Sequence, residues 1–299
     1  MKKILLLGAN GQVGHELRRS LAPLGQVVPT TRTGLLPDGA DCLGADFDRP
    51  DRIGQLIADA APDIVVNAAA YTAVDRAEDE PEAAFRANAE VPGVLARACA
   101  DRGATLVHYS TDYVFDGQGQ RPYRETDATA PLGVYGASKL AGEQAVTEAG
   151  GAHFIFRTAW VYGTHGHNFM KTMLRLAAER DELRVVADQF GTPTPAYLIA
   201  DATAAVLGRL SGEHTGVYHL TASGKTSWHG FAEAIIAGAF ERGMLARRPA
   251  VQAIATAQFP TRAQRPAFSC LDSTRLETLL GFKFPLWRSG LGKVLDGTS

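Results

Sequence analysis

The stretch Gly8-Ala9-Asn10-Gly11-Gln12-Val13-Gly14 constrains this chain more than any other. It follows a short apolar run, Lys3–Leu7, and opens Gln12–Leu21, where Val13, Leu17 and Leu21 recur at helical spacing. Glycine triplets are common, but one set between a strand and a helix has separate physical reasons for each glycine. Gly8 permits the tight turn, Gly11 lets backbone N–H groups approach a pyrophosphate, and Gly14 lets the helix pack close to the strand. Asn10, Gln12 and Val13 fill out the turn, and the helix N-terminus offers partial positive charge to a phosphate. The segment predicts a dinucleotide-binding βαβ unit.

The chain continues in alternation. Gln26–Thr30 reads as a strand, and Ile53, Leu56, Ile57 and Ala60 mark a helix entered after Pro50. Asp63–Asn67 is a strand, Pro81 opens a long Ala-rich helix reaching about Arg102, and Thr105–Ser110 is a strand. Tyr135–Glu148 is a helix, and His153–Arg157 closes the series. Such alternation predicts an α/β fold with a doubly wound parallel sheet of Rossmann type. Later residues change character: two prolines within Gly191–Pro195, a helix at about Ala200–Leu210, a short strand near Val217–Leu220, a helix at Ser227–Arg242, then loop-rich Gln258–Leu271. We expect a dinucleotide-binding domain at 1–185 and a smaller α/β substrate lobe at 186–299, with elements exchanged between them.

Composition narrows the function. The formal charge is −2, so there is no basic field for nucleic acid. No apolar run reaches the ~20 residues of a membrane span, and the run ending at Gly8 is too short for a signal-peptide core. Cys42, Cys99 and Cys270 are odd in number and far apart, which suits reduced thiols and a cytoplasmic location. His165 and His167 flank a glycine, but no nearby carboxylate or thiol completes a metal site, so no metal is expected. The cluster Glu78-Asp79-Glu80 sits at a helix entrance, where it complements the dipole.

Two further features bear on chemistry. The second strand ends Val28-Pro29-Thr30-Thr31-Arg32, without the acid that usually meets the NAD ribose. Arg32 can pair with a 2′-phosphate, which favours NADPH; Thr30 or Thr31 can serve a free ribose hydroxyl, so NADH is also acceptable. Ala69, Ala70 and Tyr71 follow a strand, and their small members let a cofactor cross the sheet edge. Tyr135 and Lys139 lie four apart, on one face of a helix. A phenol of pKa ~10 is a poor catalyst near neutrality, and an adjacent ammonium lowers that pKa. Thr111, at the carboxyl end of a strand, can polarise the carbonyl that Tyr135 protonates. Asp112 either hydrogen-bonds substrate or caps the following turn; Arg265 either clamps a diphosphate or is a surface arginine beside Pro266. Asn88, inside a helix, is read as a stitch to the sheet with no chemistry.

These segments resemble the extended short-chain dehydrogenase/reductases, and within them the dTDP-4-dehydrorhamnose reductase family. The resemblance runs almost end to end: Gly8–Gly14, VVNAAAYTAVD at 65–75, HYSTDYVFDG at 108–117, YGASKLAG at 135–142, RTAWVYG at 157–163, NFMKTMLRL at 168–176, DQFGTPT at 188–194 and RPAFSCLD at 265–272. It implies a Thr111, Tyr135 and Lys139 catalytic trio, reducing a nucleotide sugar at C4 with a nicotinamide cofactor. By the same resemblance Asp46 and Phe47 reach the adenine end, Trp160 flanks the deoxysugar, and Gln189 with Thr192–Thr194 lines the nucleotide end. Nucleotide-sugar dehydratases of this fold carry Asp-Glu after the threonine; here Tyr113 follows Asp112, which favours simple reduction. Some members dimerise through magnesium held by glutamates. Glu16 matches one position, but Tyr197 and Asp296-Gly297 depart from the others, so a monomer or weak homodimer is expected. The rival readings are a non-catalytic regulatory subunit, which the intact trio disfavours, and an epimerase that would hold NAD permanently.

Overall fold

The apolar run before the glycine turn becomes strand β1, Lys2–Leu7, in the middle of a sheet. In the computed structural model, which describes residues 1–209 and 214–298, Ile4 through Leu7 are fully buried. Ile4 and Leu6 join one apolar cluster, while Leu5 and Leu7 join another. This is the two-residue period of a strand covered on both faces, which is why it reads as a continuous apolar run.

The chain then builds α1 (Gln12–Leu21), β2 (Gly25–Thr31), β3 (Leu43–Gly44), α2 (Pro50–Ala60) and β4 (Ile64–Asn67). Next come α3 (Val74–Ala77), α4 (Pro81–Phe85), α5 (Val91–Arg102), β5 (Thr105–Thr111), α6 (Val134–Glu148) and β6 (His153–Thr158). The sheet is wholly parallel, in the order β3-β2-β1-β4-β5-β6, with a seventh strand, Gly216–His219, outside β6. The winding reverses between β1 and β4, and ligands bind at the carboxyl ends beside such a reversal.

Two expectations change. His153–Arg157 does not close the sheet: Gly216–His219 pairs with β6 in register from Gly216 opposite Phe154 to His219 opposite Arg157. Its neighbour Ala196–Arg209 is a helix packed on α1. The expected end of that helix at Leu210 lies outside the described residues, as does Ser299. The expected helix from Pro81 to Arg102 is broken in the middle by a π turn, Arg86–Glu90. Pro92 lacks the N–H that would bond the Asn88 carbonyl, so the regular ladder cannot run through this point.

Later elements add a smaller parallel pair outside this sheet. Glu182–Val186 pairs in parallel with Ala250–Ile254, and the helix Trp228–Glu241 packs over both. Phe231, Ile235, Trp287 and Leu291 belong to the same apolar cluster as Ile4 and Leu6. One core therefore joins the sheet to the later residues. Among the described residues, no helix is long and apolar enough to cross a membrane.

Candidate active site

At the sheet reversal lies a cavity of about 790 Å³. The glycine turn forms its base for steric reasons. Gly8 has φ of +75°, and a Cβ there would sit 2.7 Å from the Ala69 nitrogen. A Cβ on Gly14 would lie 2.0 Å from the Gly8 carbonyl oxygen, so α1 can approach β1 only with glycine present. The Gly11 N–H donates to that same carbonyl at 2.9 Å. No side chain caps the α1 N-terminus, so its first N–H groups face the cavity. Asn10, Gln12 and Val13 line the wall beside it, and His167 comes down from above. His165 instead lies against His15 with the rings tilted by 31° and centroids 3.3 Å apart.

Arg32, Asp46 and Phe47 line the far end. Arg32 is 74% exposed and lies between carboxylates, 3.2 Å from Asp48 and 3.6 Å from Asp46. Asp48 also meets Arg86 at 3.2 Å. Ala69, Ala70 and Tyr71 form the middle. Asn67 Oδ1 accepts the Ala69 N–H at 3.2 Å. Asn88 Oδ1 accepts the Tyr71 N–H at 2.9 Å, and Asn88 Nδ2 donates to the Tyr71 carbonyl and to Ser138 Oγ, both at 3.0 Å. Ser138 belongs to α6, so Asn88 joins the cofactor-side loop to the helix that carries Tyr135 and Lys139. It is fully buried, and its joint is to a loop and a helix rather than to the sheet.

Helix α6 is placed by close contacts. A Cβ on Gly142 would lie 2.0 Å from the Asn88 carbonyl oxygen, and one on Gly136 would lie 2.2 Å from the Tyr113 carbonyl oxygen. Its N-terminus is capped from afar: Glu78 Oε1 accepts the Val134 N–H at 2.8 Å. Glu78 thus serves α6 instead of the helix at Pro81, while Glu80 binds Arg76 and the Tyr71 hydroxyl. Tyr135 and Lys139 both line the cavity. Burial pushes the Tyr135 phenol above its usual pKa; a Thr111 hydrogen bond opposes this, and Asp112 and Tyr113 add to it. The lowering expected from Lys139 is not found, because the groups acting on the phenol are Thr111, Asp112 and Tyr113. Burial lowers Lys139 to about 8, with Glu143 opposing.

Thr111 ends β5 and caps a turn at Asp112–Val114. Its hydroxyl donates to Asp112 Oδ1 at 3.0 Å and accepts the Tyr113 N–H at 3.2 Å. Asp112 is 2% exposed, and burial pushes its carboxyl up to about 6. Its Oδ2 is buried and makes no hydrogen bond of good geometry, although the Ser269 hydroxyl lies close enough to lower the carboxyl's pKa. The Tyr113 ring meets Tyr135 edge-on, 5.6 Å between centroids. Arg265 donates to the Tyr113 hydroxyl at 3.1 Å and pairs with Asp75 at 2.6 Å, so its charge is already matched. Trp160 has φ of +49° and stacks flat on Trp228 at 3.5 Å. A Cβ on Gly191 would lie 2.4 Å from its indole.

Sequence reasoning missed one buried network. Glu143, one turn after Lys139, holds Arg157 of β6 through Oε2 at 2.6 Å and accepts from Ser110 Oγ. The Lys139-to-Glu143 spacing was the available signal. Among the described residues, no group of three metal-ligating side chains comes together.

The family model of the RmlD substrate binding domain matches residues 1–299. The chain is 51% identical to a dTDP-4-dehydrorhamnose reductase of Burkholderia thailandensis, over 97% of each chain. It is 46% identical to that of Escherichia coli, over 98% of this chain and 97% of the relative. Its fold matches a dTDP-4-dehydrorhamnose reductase from Bacillus anthracis solved with NADP, at TM-score 0.88 and 35% identity over 99% of both chains.

Proposed function

The chain belongs to the dTDP-4-dehydrorhamnose reductase family, and from that premise we propose that it reduces C4 of dTDP-4-dehydro-L-rhamnose to give dTDP-L-rhamnose with NADPH. The observation that carries this is that Tyr135 and Lys139 line the cavity whose base is the glycine turn, with the Thr111 hydroxyl acting on Tyr135. The residues fit the cofactor. Gly8 and Gly14 let α1 close onto β1, which brings its N-terminus, uncapped by any side chain, to the cavity wall. Gly8, Asn10, Gly11, Gln12 and Val13 would hold the pyrophosphate, with Gly14 bringing α1 close to β1; Arg32, Asp46 and Phe47 would hold the adenosine end, and Ala69, Ala70 and Tyr71 the middle.

When bound, NADPH supplies the hydride for C4. Tyr135, its pKa raised by burial, stays protonated and gives its phenolic proton to the developing alkoxide oxygen. Thr111 orients the same oxygen. Lys139 would hold the ribose hydroxyls, and it carries positive charge beside the site below about pH 8. Asp112 receives a sugar hydroxyl on its Oδ2, and Trp160 bounds the ring. Arg265 supports this arrangement through Tyr113 and Asp75. We read the residues after 185 as the substrate side of the cleft, apart from Ala196–Arg209 and Gly216–His219, and the protein as a cytoplasmic monomer or weak homodimer.

The test is incubation with a panel of 4-keto nucleotide sugars and NADPH, following loss of cofactor absorbance and identifying the product. Turnover of dTDP-4-dehydro-L-rhamnose to dTDP-L-rhamnose is expected. Turnover only of a differently linked sugar, or none, refutes the assignment.

A further inference from the structure

At the far end of the cavity one carboxylate is shared by two arginines. Asp48 lines the cavity beside Arg32 and Phe47. Its Oδ2 accepts from Arg32 Nη2 and its Oδ1 from Arg86 Nη1, both at 3.2 Å. The guanidiniums reach it from separate walls. Arg32 follows β2, whereas Arg86 begins the π turn Arg86–Glu90. That turn is held in place by Asn88, which bonds both backbone groups of Tyr71. Ala83 and Ala87, on the same segment as Arg86, line the cavity.

A carboxylate bridging two guanidinium forks occupies the place of an anion with several acceptor oxygens, and a phosphate fits the same pair of forks. The bridge is weakly held. The Asp48 side chain is 53% exposed, and ion pairs in water contribute little. Rotation of that side chain carries its carboxylate into solvent and leaves two cations facing one point. The position is the one where this fold reads the ribose 2′ substituent, just past the second strand. Here that strand ends Thr30-Thr31-Arg32, without an acid to repel a phosphate. Asp46 stays beside Arg32, 3.6 Å from its Nε, and accepts the Asp48 backbone N–H at 3.2 Å.

Resting on the cofactor part of the reductase reading, we propose that Arg86 is a second ligand of the NADPH 2′-phosphate beside Arg32, and that Asp48 is the internal anion this phosphate displaces. Asp48 then acts on cofactor choice. It lowers the apparent affinity for NADPH, which must displace it, and leaves NADH, which brings no anion to this point, unaffected.

The experiment measures binding by calorimetry, with NADPH and NADH as one pair of ligands and adenosine 2′,5′-bisphosphate and 5′-AMP as the other. Arg86→Leu is expected to weaken NADPH and the bisphosphate about two- to fivefold, the scale of an exposed ion pair. NADH and 5′-AMP stay at wild type, which also shows that the variant folds. Arg86→Lys restores part of the loss. Asp48→Asn tightens the two 2′-phosphorylated ligands by about the same factor and leaves the other two unchanged. An unchanged NADPH affinity in either Arg86→Leu or Asp48→Asn overturns the assignment, as does equal weakening of all four ligands in Arg86→Leu. Weaker NADH binding in Asp48→Asn also overturns it, because the carboxylate then serves the ribose hydroxyl. Each of these leaves the reductase reading standing. A wild type that binds neither dinucleotide overturns the reductase reading itself.

Discussion

Replacing Glu143 with Gln tests whether the buried network under the site acts on Lys139 or only holds the fold. Glu143 and Arg157 are 4% and 6% exposed at their side chains, so water screens neither charge. Arg157 Nε and Nη2 donate to the carboxylate at 2.9 and 2.6 Å. Removing one charge of such a buried pair destabilises by about 3–5 kcal/mol. Gln retains an acceptor for Arg157, which places the loss near the lower end of that range. The same change acts on Lys139. Glu143 is the charge that raises its pKa against burial, so without it the amine titrates below about 8. Lys139 is charged below its pKa, and the alkaline limb of kcat/KM therefore moves to lower pH. Urea unfolding reads the first effect and a pH–rate profile the second. A stability loss with the alkaline limb unmoved, or moved upward, refutes the link from Glu143 to Lys139.

Tyr135→Phe should keep NADPH affinity and lower turnover by ~10²–10⁴, the scale of lost general acid catalysis; near-wild-type turnover removes the phenol from the mechanism. Gly142→Ala puts a Cβ 2.0 Å from the Asn88 backbone oxygen, and should cost about 1–3 kcal/mol of stability as α6 is pushed off the π turn, with kcat falling in step; an unchanged melting temperature would show that the helix yields freely. Arg32→Ala should reduce the preference for NADPH over NADH by no more than about fivefold, because the side chain is exposed and shared by Asp46 and Asp48; equal weakening of both cofactors would dissociate it from the 2′-phosphate.

Most of the sheet was legible because β1, β2, β4, β5 and β6 are apolar runs bounded by turns, and because Gly8 and Gly14 meet a local steric requirement. The strand expected near Val217–Leu220 is present at Gly216–His219, but local pattern does not say which sheet it joins, because its pairing with β6 is a tertiary choice. The glycine turn, the Tyr135–Lys139 pair and the small residues after β4 were marked by local pattern, and all of these segments line the cavity. Partners distant in the chain were not. Glu78 caps a helix that starts 56 residues later, and Arg265 meets Asp75 across 190. Asn88 lay closer to reach, since Pro92 four residues on marks where a helical carbonyl loses its donor. The Tyr135 pKa depends on burial, which helical spacing does not carry.

The seventh strand and the helix Ala196–Arg209 have a consequence for how the chain is made. A nascent polypeptide that has emerged only to residue 185 has the glycine turn and the trio. It still lacks the strand that covers the β6 edge and the helix that covers α1. That species carries an open parallel edge and an uncovered apolar face, the features that favour aggregation. The seven-stranded sheet is therefore finished by segments synthesised after Glu182–Val186, and vectorial synthesis delays its completion until Gly216–His219 has left the ribosome.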